Sequence, residues 1–543
     1  MTARSETSED SYDYIVVGAG SAGCAVAARL AEDPGARVLL LEAGGTDRSP
    51  WIHIPVGYFR TMFDRRLGWG YRTEPEPELK GRRILWPRGK VLGGSSSING
   101  LIYIRGQPRD YDHWRQLGNV GWAWDDVLPF FKRAEDQPRG ADDLHGVGGP
   151  LGVSDIDEKR EICRAYVAAA IEAGIAANDD FNGPVQDGVG FYQVTARRGR
   201  RCSAAVAYLR PARDRPNLHV VVRAPARRIL FAGKRAVAVE YARGGGVALA
   251  RARREIIVSG GAINAPQLLQ LSGVGPADHL RAQGIDVVHD LPGVGANLQD
   301  HYQVKCIHRC SRPITVNDDA RYPWRKVGIA LRYAMSRSGP MTISAGQVGV
   351  FARSRPELDT PDIQFHFMPL STETHTSGAV GLHDFPGFTA SVCQLRPESR
   401  GTIMIASPDP ARAPLIRANY LATEGDRRTM VAGLELARRI AATAALAPYI
   451  ASEYRPGPEV TDKAALLDYI RETGSTIFHP AGTCKMGDDP MAVVDARLRV
   501  RGVSGLRVAD ASIMPTVVSG NTNAPAIMIG EKAAAMIRAD ARA

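Results

Sequence analysis

Gly18, Gly20 and Gly23, spaced as G-x-G-x-x-G, together with Glu42, are residue types whose spacing can hold a dinucleotide. In such a site the first glycine allows a tight turn and the second lets the backbone approach a pyrophosphate. The third lets helix and strand pack closely, with the helix N-terminus facing the phosphates. Glu42, followed by Ala43, is placed to take ribose hydroxyls. A second small-residue stretch, residues 88–100 (RGKVLGGSSSING), permits close approach of a flat ligand and offers backbone amides to phosphate or ring oxygens. His301, Cys306, His308 and Cys310 form the one local group of metal-ligating types. The run from Val304 to Cys310 alternates as one face of a strand would, and structural zinc sites use tighter cysteine pairs, so no metal is expected.

These residues need elements to position them. Residues 14–17 are a short β-rich run directly before the glycines, the Ala-rich segment after them suits a helix, and 37–41 reads as a second strand ending on Glu42. Strand, glycines, helix, strand and acid in that order predict a bound dinucleotide. Residues 50–87, rich in Trp, Pro and Gly, read as long irregular loops of the kind that cover a cofactor or form a lid. A helix is expected over 108–133, with Trp122 and Trp124 as packing residues. Residues 217–230, 236–241 and 255–259 are β-rich, and the last leads into a second strand, glycine turn and helix start at 260–269. From about 301 to 470 the composition changes to β-like runs (363–368, 389–395 and 401–406) and a helical stretch at 427–444. The chain then returns to strand-and-glycine motifs at 478–487 and 506–510 and ends in a helix from about Ala524. The expected class is therefore α/β, mixed with α+β. A Rossmann-like domain spans 12–300 and 471–543, and a β-sheet substrate domain with flanking helices spans 301–470.

Bulk properties exclude several classes. With 44% hydrophobic and 23% charged residues, the 543-residue chain has the composition of a globular enzyme. No apolar run approaches the roughly 20 residues that span a bilayer. The first ten residues, polar and acidic, are read as a disordered leader rather than a signal peptide. Seven widely spaced cysteines suit reduced thiols. A cytoplasmic location is expected, with peripheral contact at the inner face of the cell membrane left open. The net charge of +10 comes from scattered basic residues without stacking aromatics, so nucleic acid is not an expected partner. The Ser95–Ser97 run lacks a G-x-S-x-G elbow, which disfavours a serine hydrolase.

Taken together, these motifs resemble the glucose–methanol–choline (GMC) family of flavin oxidoreductases over nearly the whole chain. The segments that carry the likeness are GKVLGGSSSINGLIYIRGQPRDYD (89–112), GAINAPQLLQLSGVG (261–275, with Ala265 where Ser or Thr is usual), GVGANLQDH (293–301), FHPAGTCKMG (478–487), VADASIMP (508–515) and SGNTNAPAIMIGEK (519–532). The resemblance implies FAD in the Gly18–Glu42 site. It also implies an isoalloxazine contact at Asn99, and cofactor contacts from Val91, Gly94, Ala226, Asp510 and Ala511. Some relatives attach FAD covalently through a His at the place of Ile98, and isoleucine cannot form that bond, so non-covalent FAD is expected.

The family's catalytic His matches His479. Alcohol oxidation needs a base for the hydroxyl proton while hydride leaves the carbon, and neutral imidazole suits that task. The second catalytic position, His or Asn in relatives, falls on Asn521, whose amide can hold the substrate oxygen. Asn523 is expected at the flavin ring, and Pro525 opens a last helix whose positive end could stabilise charge there. Choline-specific relatives carry a Glu that aligns with Gln347. A neutral amide does not attract a quaternary ammonium, so a neutral primary alcohol, aliphatic or aromatic, is the expected substrate. Three activities stay open: a dehydrogenase passing electrons to a quinone or other acceptor, an oxidase using O₂, and a non-redox lyase or photodecarboxylase, which an intact His479/Asn521 pair disfavours. Neither the specific alcohol nor the oligomeric state is legible.

Overall fold

The strand Ser11–Val17 is buried from Asp13 onward and lies parallel between Val38–Leu41 and Gly246–Val258. In the computed structural model, which describes residues 11–374 and 380–542, this strand is the middle of a seven-stranded sheet. The first ten residues, expected to form a leader, lie outside the described range. Leu218–Val221 extends the parallel part on one side, and Leu506–Val508 pairs parallel with the end of Gly246–Val258. Parallel strands buried on both faces read as continuous apolar runs, as YIVV and VLLL do here. The helices Ser21–Leu30 and Asn523–Asp540 pack on each other beside this sheet. Gly530 permits that approach: a Cβ there would lie 2.5 Å from the Ala22 carbonyl oxygen.

Three expected elements change. The strand expected at 255–259 begins at Gly246, because Gly244 and Gly245 (φ 57° and 82°) form a two-residue turn that pairs it antiparallel with Arg235–Arg243. The helix expected over 108–133 is two helices, Pro108–Gln116 and Trp124–Ala134, interrupted where Gly118 and Gly121 take φ of 95° and 86°. The irregular 50–87 segment contains short helical turns, Pro50–His53 and Tyr58–Thr61, and a strand pair, Tyr71–Arg72 with Leu85–Trp86.

A second seven-stranded sheet is antiparallel throughout. Its order is Ile450–Arg455, Tyr302–Cys310, Gly387–Gln394, Ile363–Met368, Val348–Ala352, Gly188–Phe191, with Ser475–Thr476 added against Tyr302–Cys310. Two of these strands, at 188–191 and 475–476, come from outside residues 301–470. One face carries Val304, Cys306, Phe365, Phe367 and Val392 into a core shared with the helix Glu424–Ala441. The other face carries the cross-strand row Lys305, Ser391 and His366 toward the cavity described next.

Candidate active site

Three helix N-termini meet at one cavity of about 1110 Å³, larger than the ~300–1,000 Å³ usual for a small-molecule site. They are Gly20–Ala22 at the start of Ser21–Leu30, Gly260–Ile263 at Gly261–Leu271, and Thr522–Asn523 at Asn523–Asp540. The partial positive charge at each start favours an anion between them. The glycines make the space. A Cβ on Gly94 would lie 2.7 Å from Gly20 Cα, and one on Gly20 would meet nothing closer than 3.9 Å, so Gly20 borders open cavity. Gly18 needs its own flexibility (φ 105°), and a Cβ on Gly23 would sit 1.9 Å from the Gly18 carbonyl oxygen. Gly23 therefore serves the packing of helix against strand, and it is absent from the cavity wall.

Gly18, Gly20, Glu42, Ala43, Gly94, Asn99, Ala226, Asp510, Ala511 and Asn523 all line this cavity. Val91 lies off this wall: it is wholly buried and bridges Gly45 behind it. The Glu42 carboxylate accepts from the Ala19 and Gly44 N–H groups at 3.0 and 2.8 Å. Burial pushes its carboxyl up to about 7, against these two bonds. Asp510 accepts from the N–H of Gly261 (2.8 Å) and of Ser512 (2.7 Å), tying the Leu506–Val508 strand end to a helix start. Asn99 is held by Arg201, whose guanidinium donates to its side-chain oxygen at 2.5 Å and its backbone oxygen at 2.7 Å.

His479 and Asn521, 42 residues apart, come within hydrogen-bond distance, Nδ2 of Asn521 to Nε2 of His479 at 3.1 Å. The tautomer of His479 follows from its neighbours. His301 Nε2 lies 3.0 Å from the Leu395 carbonyl, which can only accept, so that nitrogen carries a proton. Neutral His301 is then an acceptor at Nδ1, 3.0 Å from His479 Nδ1, which must donate. The lone pair of His479 is thereby assigned to Nε2 beside Asn521, a tautomer read from the hydrogen-bond network. Burial holds both rings neutral: His301 is pushed down to about 4, and His479 falls well below the usual imidazole range, with His301, His366 and Arg88 adding repulsion. The backbone fixes the ring as well. Asp300 accepts from the His479 N–H at 2.7 Å, and the preceding Phe478 sits at φ 73°, a left-handed conformation costly for an aromatic residue.

Sequence reasoning missed these supports. Asp300 lies in the quoted GVGANLQDH segment without an assigned role, and His301 was read there only with the metal-ligating types, although the acid–histidine pair was present as a signal. Gln364, which donates to Asn521 Oδ1 at 3.2 Å, and His366, a cavity-lining ring whose two nitrogens lack hydrogen-bond partners among the described residues, sit in an apolar strand run with no motif around them.

Two expectations change. The metal-type group divides: His301 joins His479, while Cys306 and His308 approach Glu453, with ligand atoms within 4.8 Å of one another. Arg438 donates to both Glu453 oxygens at 2.7 and 3.0 Å and so already neutralises that carboxylate. Gln347 is wholly buried between Ser344 and Glu158, off the cavity wall, so its amide says nothing about substrate charge.

A glycine-cradled anion site beside a neutral, oriented imidazole defines a dinucleotide-dependent oxidoreductase. Models of the GMC oxidoreductase family match residues 12–303 and 397–530. An alcohol dehydrogenase (acceptor) of Pseudomonas putida is 45% identical over 97% of this chain and 95% of its own. The mitochondrial choline dehydrogenase of Mus musculus is 45% identical, covering 98% of this chain and 90% of its own. Among solved structures, pyridoxine 4-oxidase from Mesorbium loti superposes with a TM-score of 0.88 at 32% identity, covering 96% of this chain and 98% of that one. A formate oxidase of Aspergillus oryzae, studied for FAD modification, reaches 0.90 at 26% identity over 99% of this chain and 100% of that one. The chain belongs to the GMC oxidoreductase family. It is an FAD-binding oxidoreductase of mixed α/β fold, and the glycine cradle and converging helix starts fit that cofactor.

Proposed function

We propose that His479 is the catalytic base of a primary-alcohol dehydrogenase and that Asn521 holds the alcohol oxygen. The observation that carries this reading is the proton-accepting Nε2 of His479, fixed through His301 and Leu395 and facing Asn521 on the cavity wall. The substrate hydroxyl takes the place of the Asn521 amide at Nε2, and that amide donates to the alcohol oxygen instead. His479 then removes the hydroxyl proton, and neutral His301 accepts the hydrogen bond from its Nδ1–H and keeps the ring oriented. When bound, FAD supplies the acceptor for the hydride that leaves the alcohol carbon. Gly18, Gly20, Gly94 and the three helix starts would hold its anionic part, and Glu42 would take its ribose hydroxyls. Asn99, held by Arg201, and Asn523 line the cavity where the ring would lie. Ile98 is buried and has no nucleophilic atom, which supports non-covalent attachment. In this reading 12–300 and 471–543 hold the cofactor, and 301–470 cover the substrate.

A neutral alcohol is favoured over choline because Lys305 and Arg455 line the cavity on the substrate side, and like charge repels a quaternary ammonium. The name of the Pseudomonas relative supports an acceptor other than O₂, such as a quinone. The name of the pyridoxine oxidase supports O₂ as the second reading. Turnover with a dye acceptor tests the substrate claim. Medium-chain and benzylic primary alcohols should exceed choline at least about tenfold in kcat/KM, and Lys305→Gln should narrow the gap. Choline as the better substrate would refute it.

A further inference from the structure

The helix Pro323–Ser336 stands outside both sheets with its apolar side uncovered. Trp324, Val327, Leu331 and Met335 are 68, 59, 55 and 81% exposed. At ~100° per residue they fall within an arc of about 80° along a helix ~21 Å long. Tyr333, the helix's one buried residue, lies on the opposite side, and its hydroxyl donates to the Gly199 carbonyl at 3.0 Å, holding that side to the body. Large apolar side chains scattered singly over a surface are ordinary, but four in one stripe mark an interaction face. The helix is too short to cross a bilayer, and no described helix is long and apolar enough to do so.

The charges around the stripe identify the partner. Between residues 320 and 346 there are five basic residues, Arg321, Arg325, Lys326, Arg332 and Arg337, and no acidic one. Arg325 flanks the apolar arc on one edge, and Arg332, beyond the same edge, pairs with Glu158 at 3.6 Å. A second copy docked antiparallel on the stripe across a two-fold would set the two Arg325-bearing edges side by side, which disfavours that self-association. An apolar stripe with tryptophan at one end and cations beside it is the pattern of a helix lying in a membrane interface. The same segment continues through Pro340–Thr342, which packs on the turn Pro55–Gly57, to Ala345 on the cavity wall. Phe59, Met62 and Phe63, just after that turn, also line the cavity. We infer that Pro323–Ser336 is a membrane-docking helix that lays its Trp324–Met335 stripe into an anionic lipid surface and brings the cavity close to the bilayer. This goes beyond the catalytic reading and does not depend on it.

The test is co-sedimentation of the yellow holoenzyme with vesicles of phosphatidylcholine alone and of phosphatidylcholine with phosphatidylglycerol. The holoenzyme should sediment with the anionic vesicles, and the double variant L331D/M335D should bind at least about tenfold more weakly while keeping its turnover with a soluble dye. R325E/K326E provides a second variant without apolar changes, and it should lose the preference for phosphatidylglycerol. Holoenzyme that stays in the supernatant with both vesicles, or variants that sediment as the parent does, would overturn the assignment. A dimer that L331D/M335D converts to monomer, with no vesicle binding, would overturn it in favour of a second copy.

Discussion

His479→Ala should slow oxidation of a primary alcohol by about 10²–10⁴-fold, the range expected when a general base is removed, while the protein stays folded and yellow. The loss belongs to the chemical step because the His479 ring is held by His301 and its backbone N–H by Asp300, neither of which is part of the glycine cradle. Single-turnover loss of flavin absorbance after anaerobic mixing reads the step directly. The acid limb of its pH profile carries a second part of the expectation. A base whose pKa lies well below the usual imidazole value keeps its lone pair as pH falls through 6.5, and loses it only on reaching the depressed value. The rate should therefore stay flat from neutral pH down past 6.5 and fall at lower pH. His301→Leu should move that limb, because it removes the acceptor that fixes the Nδ1 proton. An unchanged rate in His479→Ala, with FAD retained, would remove the assigned base.

Gly20→Val should give soluble, folded protein without yellow colour. The backbone at Gly20 has φ −80°, open to any residue, and the nearest atom to an added Cβ is 3.9 Å away, so the valine methyls enter cavity rather than protein. Forcing methyl groups into space that a ligand must fill costs about 1–3 kcal/mol or more, a weakening of roughly 5–150-fold or more in FAD affinity. The contrast with Gly23 makes the result specific. Gly23→Ala would drive a Cβ against the Gly18 carbonyl and should lower expression and thermal stability rather than only colour. Far-ultraviolet circular dichroism of the colourless Gly20→Val protein should match the parent. A yellow, fully loaded variant would contradict the placement of the pyrophosphate.

The cradle was legible because its demands are local. Turn, close approach and helix–strand packing each need a glycine at a fixed offset, and the strands around Gly18 are apolar on both faces. The support of the base was not, because it is built across the chain: His301 and His479 are 178 residues apart and meet only when 475–476 joins the strand beginning at Tyr302. For the same reason His301 was grouped with Cys306 and His308, its neighbours along the chain, whereas those two turn into the core. Gln347 failed as a specificity marker since an ungapped segment cannot say which way a side chain points. The exposed helix at 323–336 passed unread between β-like runs. Gly328 within it lowers helix propensity, and its apolar residues imitate a core face until the structure shows nothing covering them.

In the proposed reaction, a primary alcohol gives its proton to His479 and its hydride to FAD. Anaerobic mixing of the purified yellow protein with a series of primary alcohols, followed at the flavin absorbance, tests it most directly. At least one neutral primary alcohol should bleach the flavin, with the matching aldehyde formed one for one with flavin. Protein that is visibly yellow and stays so with every alcohol would contradict it.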